Sequence, residues 1–288
     1  MASSDIKDVK RRISSVTSME HITNAMKLVS AAKLRRAKAT FEKTNENFHF
    51  VIHSIKEIFA NEDDVPSKYL AGNREIKKTC YIIISSGRGL CGGFNSNIIK
   101  EAKRSINEEG GESVIVAIGK RGLEYFQRRD YEILEDYVAP PESISFLESM
   151  KIARPILELY ESGEIDQVKL IYTSYISPLD QRVRNITLLP FDIKYDPEIL
   201  MHPKAIEYHP SVEEVFNYLV PKYVEISIHG AIVESATCEH AARRMAMENA
   251  TENARDMLDN LSLNYNRARQ SAITDEIIEI VAGSEAQK

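Results

Sequence analysis

The sequence predicts an α/β chain in which a long helix at each end winds around the other as an antiparallel coiled coil, with an α/β domain inserted between them. Three observations carry this. Residues 1–61 hold no proline and no glycine, residues 222–288 hold no proline and only Gly230 and Gly283, and the middle alternates short β-rich runs with helical ones. A chain that leaves along one helix and returns along another brings the two together antiparallel, and that is the economical way to cover two apolar seams.

In the first helix Ile6, Val9, Ile13 and Val16 alternate spacings of three and four, the pattern of a narrow coiled-coil seam. The apolar positions then jump by three to Met19 and resume as Ile22, Met26 and Val29, which predicts a slip of register and local overwinding. The stripe continues through Ala31, Ala32, Leu34 and Ala37 to Phe41 and Phe48. At 1.5 Å per residue such a helix is roughly 80 Å long, well over the width of a domain of this size.

At the other end Pro221 suits a first helical turn. From there apolar and small residues recur, among them Ile226, Ile232, Ala236, Ala242, Met245, Ala250, Ala254, Met257, Leu261, Tyr265, Ala268, Ile273, Ile277 and Ile280. The heavy use of alanine lets two helix axes approach closely.

The middle has four β-rich runs: Cys80–Ser85, Ser113–Ile118, Val168–Tyr175 and Val183–Phe191. The first two are almost wholly apolar, as in strands covered on both faces. Helical stretches at Ser96–Asn107, Lys120–Arg129 and Ser143–Ser162 separate them, so the sheet should be mainly parallel, and residues 168–192 read as a closing hairpin. The expected divisions are 1–61, 74–195 and 211–285, joined by Asn61–Asn73 and Asp192–Pro210.

The 288 residues are 43% apolar and 28% charged, with a net charge of −6, which excludes a disordered chain and a general nucleic-acid binder. Residues 1–40 nevertheless carry +6 and residues 211–288 carry −6, so the two ends are electrostatically opposite. Three scattered cysteines, Cys80, Cys91 and Cys238, make neither a disulfide framework nor a metal pair. The amino terminus shows no secretory leader, and no apolar run is long enough to span a membrane.

Gly87, Gly89 and Gly92 fit G-x-G-x-x-G after the first strand, a pattern that elsewhere cradles a pyrophosphate. The dinucleotide reading also wants an acid at the end of the second strand, where Ile118, Gly119, Lys120 and Arg121 stand instead. A tight strand-to-helix turn or a partner contact accounts for the loop better. His49 and His53, four apart on a helix, lack further ligands, and no catalytic motif is present. Neither a cofactor nor a metal is expected. On Asn264–Gln270, hydrogen-bonding side chains crowd a helix far from its own body, so they serve water or another chain.

The segments ITNAMKLVSAAKLRRA (Ile22–Ala37) and AARRMAMENATENARDMLDNLSLNYNRARQSAITDEIIEIVAG (Ala241–Gly283), with GRGLCGGFNSN between them, resemble the gamma subunit of the bacterial F-type ATP synthase over nearly the whole chain. The resemblance implies a Rossmann-like body beside the coiled coil. It also implies a non-catalytic central rotor inside a ring of three alpha and three beta subunits, its foot resting with epsilon on a membrane rotor ring, peripheral to the cell membrane on its cytoplasmic side and without a membrane span. Carried over residue by residue, Arg269 and Gln270 form a catch on a beta loop. Met26, Lys27, Lys33, Arg35 and Arg36 line the shaft, Lys100 and Lys103 face acidic beta levers, and Tyr208 lies in the foot. The family commonly reads S-D-R-G-L where Gly87 stands here, so that acid's contact is missing. The dithiol insert of chloroplast relatives is absent too, which removes thiol switching.

Overall fold

The computed structural model describes residues 2–61, 67–70, 75–191 and 207–285. The elements in order are α1 (Ala2–Asn61), β1 (Lys78–Ile84), α2 (Phe94–Glu109), β2 (Glu112–Ile118), α3 (Lys120–Gln127), β3 (Glu132–Tyr137), a 3-10 turn (Pro141–Ser143), α4 (Phe146–Ser162), β4 (Gln167–Tyr175), β5 (Gln181–Leu189) and α5 (Val212–Glu285). The chain divides into two compact units: Met1–Ala31 with Arg243–Lys288, and Ala32–Ala242. The two joints expected from composition fall largely outside the described residues.

The smaller unit is the antiparallel pair of helices. Thr251 Oγ1 donates to Thr23 Oγ1 (2.9 Å), Arg255 bonds Glu20 (3.0 Å) and Lys27 lies 3.9 Å from Glu248, so each step forward on α1 is a step back on α5. Those contacts overturn the expected slip at Met19. The covered positions of α1 run Ile13, Val16, Glu20, Thr23, Lys27 and Ser30, an unbroken alternation of three and four, while Met19, Ile22 and Val29 are exposed. The register never shifts, because polar residues take over the seam. On α5 the matching row is Met247, Thr251, Ala254, Leu258, Leu261, Tyr265, Ala268 and Ala272. In that register Ala272 falls opposite the start of α1, and the exposed Ile273, Ile277 and Ile280 lie beyond it. Met257, counted as a seam residue from the sequence, is also exposed.

The larger unit is built on a five-stranded sheet ordered β3-β2-β1-β4-β5. The first four strands are parallel, and β5 returns antiparallel on β4. β3 was not foreseen: its residues EILEDY are half acidic and only partly covered at the sheet edge, so neither apolar alternation nor a continuous apolar run marks them. In β1 the side chains alternate between two cores. Cys80, Ile82 and Ile84 face α4 together with Ile55 and Ile58 of α1 and Phe216, Val220 and Val224 of α5, whereas Tyr81 and Ile83 face α2 and α3. Burial on both faces is why β1 and β2 read as solid apolar runs.

Local chemistry sets the boundaries. Ser145 and Glu148 form a reciprocal capping box that starts α4, and Gly163 ends it in the left-handed conformation. At Gly119 (φ +91°) a side-chain carbon would lie 2.1 Å from the carbonyl oxygen of Ser85, so only glycine lets β2 and α3 meet the end of β1. Pro221 does not start α5. The helix begins nine residues earlier at Val212, and the proline is accommodated inside it.

Candidate functional site

The glycine loop closes on itself. The Ser86 hydroxyl donates to the carbonyl of Arg88 (2.6 Å), the Asn95 amide donates back to Ser86 (2.7 Å), and the Arg121 backbone N–H reaches Ser86 O (3.1 Å). Leu90 and Gly92 both take left-handed backbone angles, which glycine adopts freely and leucine only when its surroundings hold it there.

In an open parallel sheet a nucleotide binds beyond the carboxyl ends of the strands where the order reverses, which here lies between β1 and β4. The chain's own helix occupies the β4 side of that place. Glu234 on α5 accepts the backbone N–H of Tyr175 (2.7 Å) and the hydroxyl of Ser174 (2.8 Å). Ser235 accepts the N–H of Thr173 (3.2 Å), and the Cys238 thiol points at the Thr173 carbonyl (3.5 Å). Burial raises the Glu234 carboxyl above its ordinary range, although both hydrogen bonds favour the ion.

The thiols are equally committed to the interior. Burial pushes Cys80 up to about 12 and raises Cys238 as well. All three cysteines are buried and unbridged, and among the described residues no group of three or more His, Cys, Asp or Glu is placed to hold a metal.

A charged cluster joins three elements of the larger unit. Glu142, on the turn before α4, takes Lys33 of α1 on one oxygen and the Nε2 of His240 of α5 on the other (2.9 Å). The His240 hydrogen bond is the largest cause, with Lys33 behind it, of a carboxyl held down to about 2. His240 is only 2% exposed, and among the described residues its Nδ1 finds no hydrogen-bond partner. Nothing in the sequence marked Glu142 or His240, because their meeting depends on how α5 crosses the turn before α4.

A protein-family model described as ATP synthase matches residues 5–287. Proteins named ATP synthase gamma chain from Alkaliphilus metalliredigens and Ruminococcus albus are 43% and 41% identical, covering 98% and 97% of this chain and 99% and 98% of their own. One from Acetobacterium woodii, named as sodium ion specific, is 36% identical over 98% of each chain. The chain belongs to the ATP synthase gamma-chain family. Its fold is similar to a chain of the Tetrahymena thermophila mitochondrial ATP synthase central stalk and c-ring structure, at 26% identity and a TM-score of 0.63 over 80% of this chain and 99% of that one. A rotor chain from Euglena gracilis matches at 18% identity and a TM-score of 0.68 over 94% and 99%.

The gamma-chain resemblance singled out ten residues, and the structure distributes them. Arg269 and Gln270 are exposed on α5, one and two residues past the seam position Ala268. Met26 and Lys27 are half-buried, Lys27 being turned along the seam toward Glu248. Lys33 is bound to Glu142, and Arg35 and Arg36 are exposed. On α2, Lys100 is exposed and Lys103 half-buried beside an intrahelical Arg104–Glu101–Glu108 network. Tyr208 packs half-buried against the core that Phe216 and Val220 help to form.

Proposed function

We propose that this gamma chain is the central rotor shaft of an F-type ATP synthase, turning with a membrane ring and coupling that rotation to ATP synthesis and hydrolysis in the beta subunits around it. The observation that carries the reading is the match to the ATP synthase family along residues 5–287, on a chain that pairs its two ends as an antiparallel coiled coil. A single asymmetric shaft meets three identical partners in three different ways. Each partner is therefore biased toward a different conformation, and rotation exchanges the states. The difference in contact free energy is the coupling.

The chain is non-catalytic in this reading, and α5 lying across the end of β4 supports it. Its partners are three alpha and three beta subunits, an epsilon subunit and the ring. No described helix is long and apolar enough to cross a membrane, so attachment runs through those partners, on the cytoplasmic side of the cell membrane. Arg269 and Gln270 serve as the catch on a beta loop, Met26, Lys27, Lys33, Arg35 and Arg36 as shaft contacts, Lys100 and Lys103 as lever contacts, and Tyr208 as part of the foot. The exposed isoleucines beyond Ala272 fit a shaft end that other subunits cover.

The test is single-molecule rotation of the chain assembled with family alpha and beta subunits. The three native thiols are buried, so Leu179→Cys, at a position 80% exposed in the β4–β5 hairpin, supplies the only accessible bead site. ATP-driven stepping in complexes holding one gamma chain supports the assignment. Failure to assemble refutes it. Arg269→Ala is expected to weaken coupled ion pumping while leaving the fold intact, and pumping equal to wild type would remove the catch assignment.

A further inference from the structure

Between α1, the turn entering α4, and α5 lies an open cavity of about 480 Å³, contained wholly in the larger unit. Carbon from Ile144, Phe146 and Val233 lines it beside the polar side chains of Lys33, Arg36 and Ser145. A volume of this size suits a small organic molecule.

The charges say which kind. Lys33 is taken by Glu142, whose other oxygen meets His240. The other imidazole on the wall, His229, is engaged at Nδ1 by Ser149 (2.9 Å), and burial lowers its pKa, so it is neutral at pH 7. The guanidinium of Arg36 has no hydrogen-bond or ion-pair partner among the described residues, which leaves a cation beside the apolar lining. The same lining includes the start of α4. There the capping box is complete: the Ser145 side chain satisfies the Glu148 N–H and the Glu148 carboxylate takes the Ser145 N–H and hydroxyl (2.7 Å each), so this end of α4 already carries its own anion. The Phe146 ring, 42% exposed, stands edge-on to His229 with its remaining surface free to meet a ligand.

We propose that this cavity binds a small monocarboxylate with an aromatic or branched aliphatic body, its carboxylate on Arg36 and its body against Phe146, Ile144 and Val233. One free guanidinium balances one negative charge, which favours a monoanion over a phosphate dianion. The site goes beyond the rotor assignment and is read without rotation on the free chain, where Arg36, assigned above as a shaft contact, has no subunit against it.

The experiment is saturation-transfer NMR on the full chain with 2-naphthoate as probe. Binding energy per ligand atom near the drug-sized value, far below the ceiling, gives an expected Kd of about 0.1–1 mM. The neutral 2-naphthamide should bind at least about fivefold more weakly, and 2-naphthyl phosphate no more tightly, since charge-assisted hydrogen bonds are the stronger ones. Arg36→Ala should weaken 2-naphthoate by about fivefold or more with an unchanged circular dichroism spectrum, and Ala37→Leu, which fills the cavity, should abolish binding. Should Ala37→Leu fail to fold, the surface variant Arg36→Ala decides. No saturation transfer at millimolar probe, equal affinity for acid and amide, or an Arg36→Ala variant that binds like wild type overturns the proposal. Tighter binding of the phosphate overturns the monocarboxylate choice.

Discussion

The two units of this chain are stabilised by opposite means. In the larger unit Ile82, Ile83, Ile84, Ile115 and Val116 are completely buried between two helical layers, and the sheet is specified by apolar volume. In the smaller unit α1 brings Glu20, Thr23, Lys27 and Ser30 to the seam against the row Met247, Thr251, Ala254 and Leu258 of α5, while Met19, Ile22, Leu28 and Val29 are 56–63% exposed on the outside. Apolar burial is non-directional and tolerates sliding, whereas a Thr–Thr hydrogen bond and a Glu–Arg pair are satisfied in one register only. The larger unit is built for stability. The smaller is built for register, and it leaves its apolar surface for partners.

The sharpest way to break this contrast is to create the same kind of cavity in each unit. Ile83→Ala in the sheet is expected to cost about 3–4 kcal/mol, and Val16→Ala in the half-covered seam only about 1 kcal/mol, measured as shifts of the urea midpoint. Equal costs would mean that the seam is packed as tightly as a core.

Next comes the charged cluster. Glu142→Gln should cost about 1–2 kcal/mol at pH 7, allowing for its part-open setting. The carboxyl is held below its ordinary value of 4.5, at about 2, so its contribution is fully present above about pH 4.5 and disappears as pH falls toward 2. The stability difference between wild type and variant should therefore close over that window in acid denaturant titrations.

The seam itself is probed by pairs. Thr23→Val alone should cost under about 1 kcal/mol, since Thr251 keeps the Met247 carbonyl (2.7 Å), and the double change Thr23→Val with Thr251→Val should cost less than the two single changes added, as expected for two hydroxyls that bond each other. Cysteine pairs placed on either side of the double variant would then show cross-links in more than one register, if polar pairing is what sets it.

The smallest effect is expected at Glu234. Its carboxyl is raised by burial, so the native state holds its proton more tightly than the unfolded chain, and stability falls as pH rises above the ordinary carboxylate value. Glu234→Gln, which keeps an oxygen to accept from Ser174 and Tyr175, should be neutral or stabilising by under about 1 kcal/mol at pH 7. Its pH dependence runs opposite to that of Glu142→Gln, and slopes of the same sign in thermal melts would refute one of the two assignments.

How much of this was legible from residues alone follows from the range of each interaction. The absence of proline and glycine in residues 1–61, the solid apolar runs of β1 and β2, and the segments at both ends were enough for the helices, the parallel sheet and the family, since backbone preference and burial on both faces are written locally. The hairpin of β4 and β5 was legible for the same reason, while β3, an acidic edge strand, was not. In the seam apolarity is a poor sign of burial. Met19 and Ile22 face outward and Glu20 and Thr23 inward, and only the neighbour supplying Arg255 and Thr251 makes those polar positions worth covering. The glycine loop kept its nucleotide-like spelling, yet what fills the end of β4 comes from Glu234 and Ser235, some 145 residues later. Glu142, His240 and Lys33, and the cavity beside them, likewise exist only where three distant stretches meet. Periodicity is a property of neighbours along the chain. A charge pair, a filled crevice or a cavity is a property of neighbours in space, and folding alone brings those together.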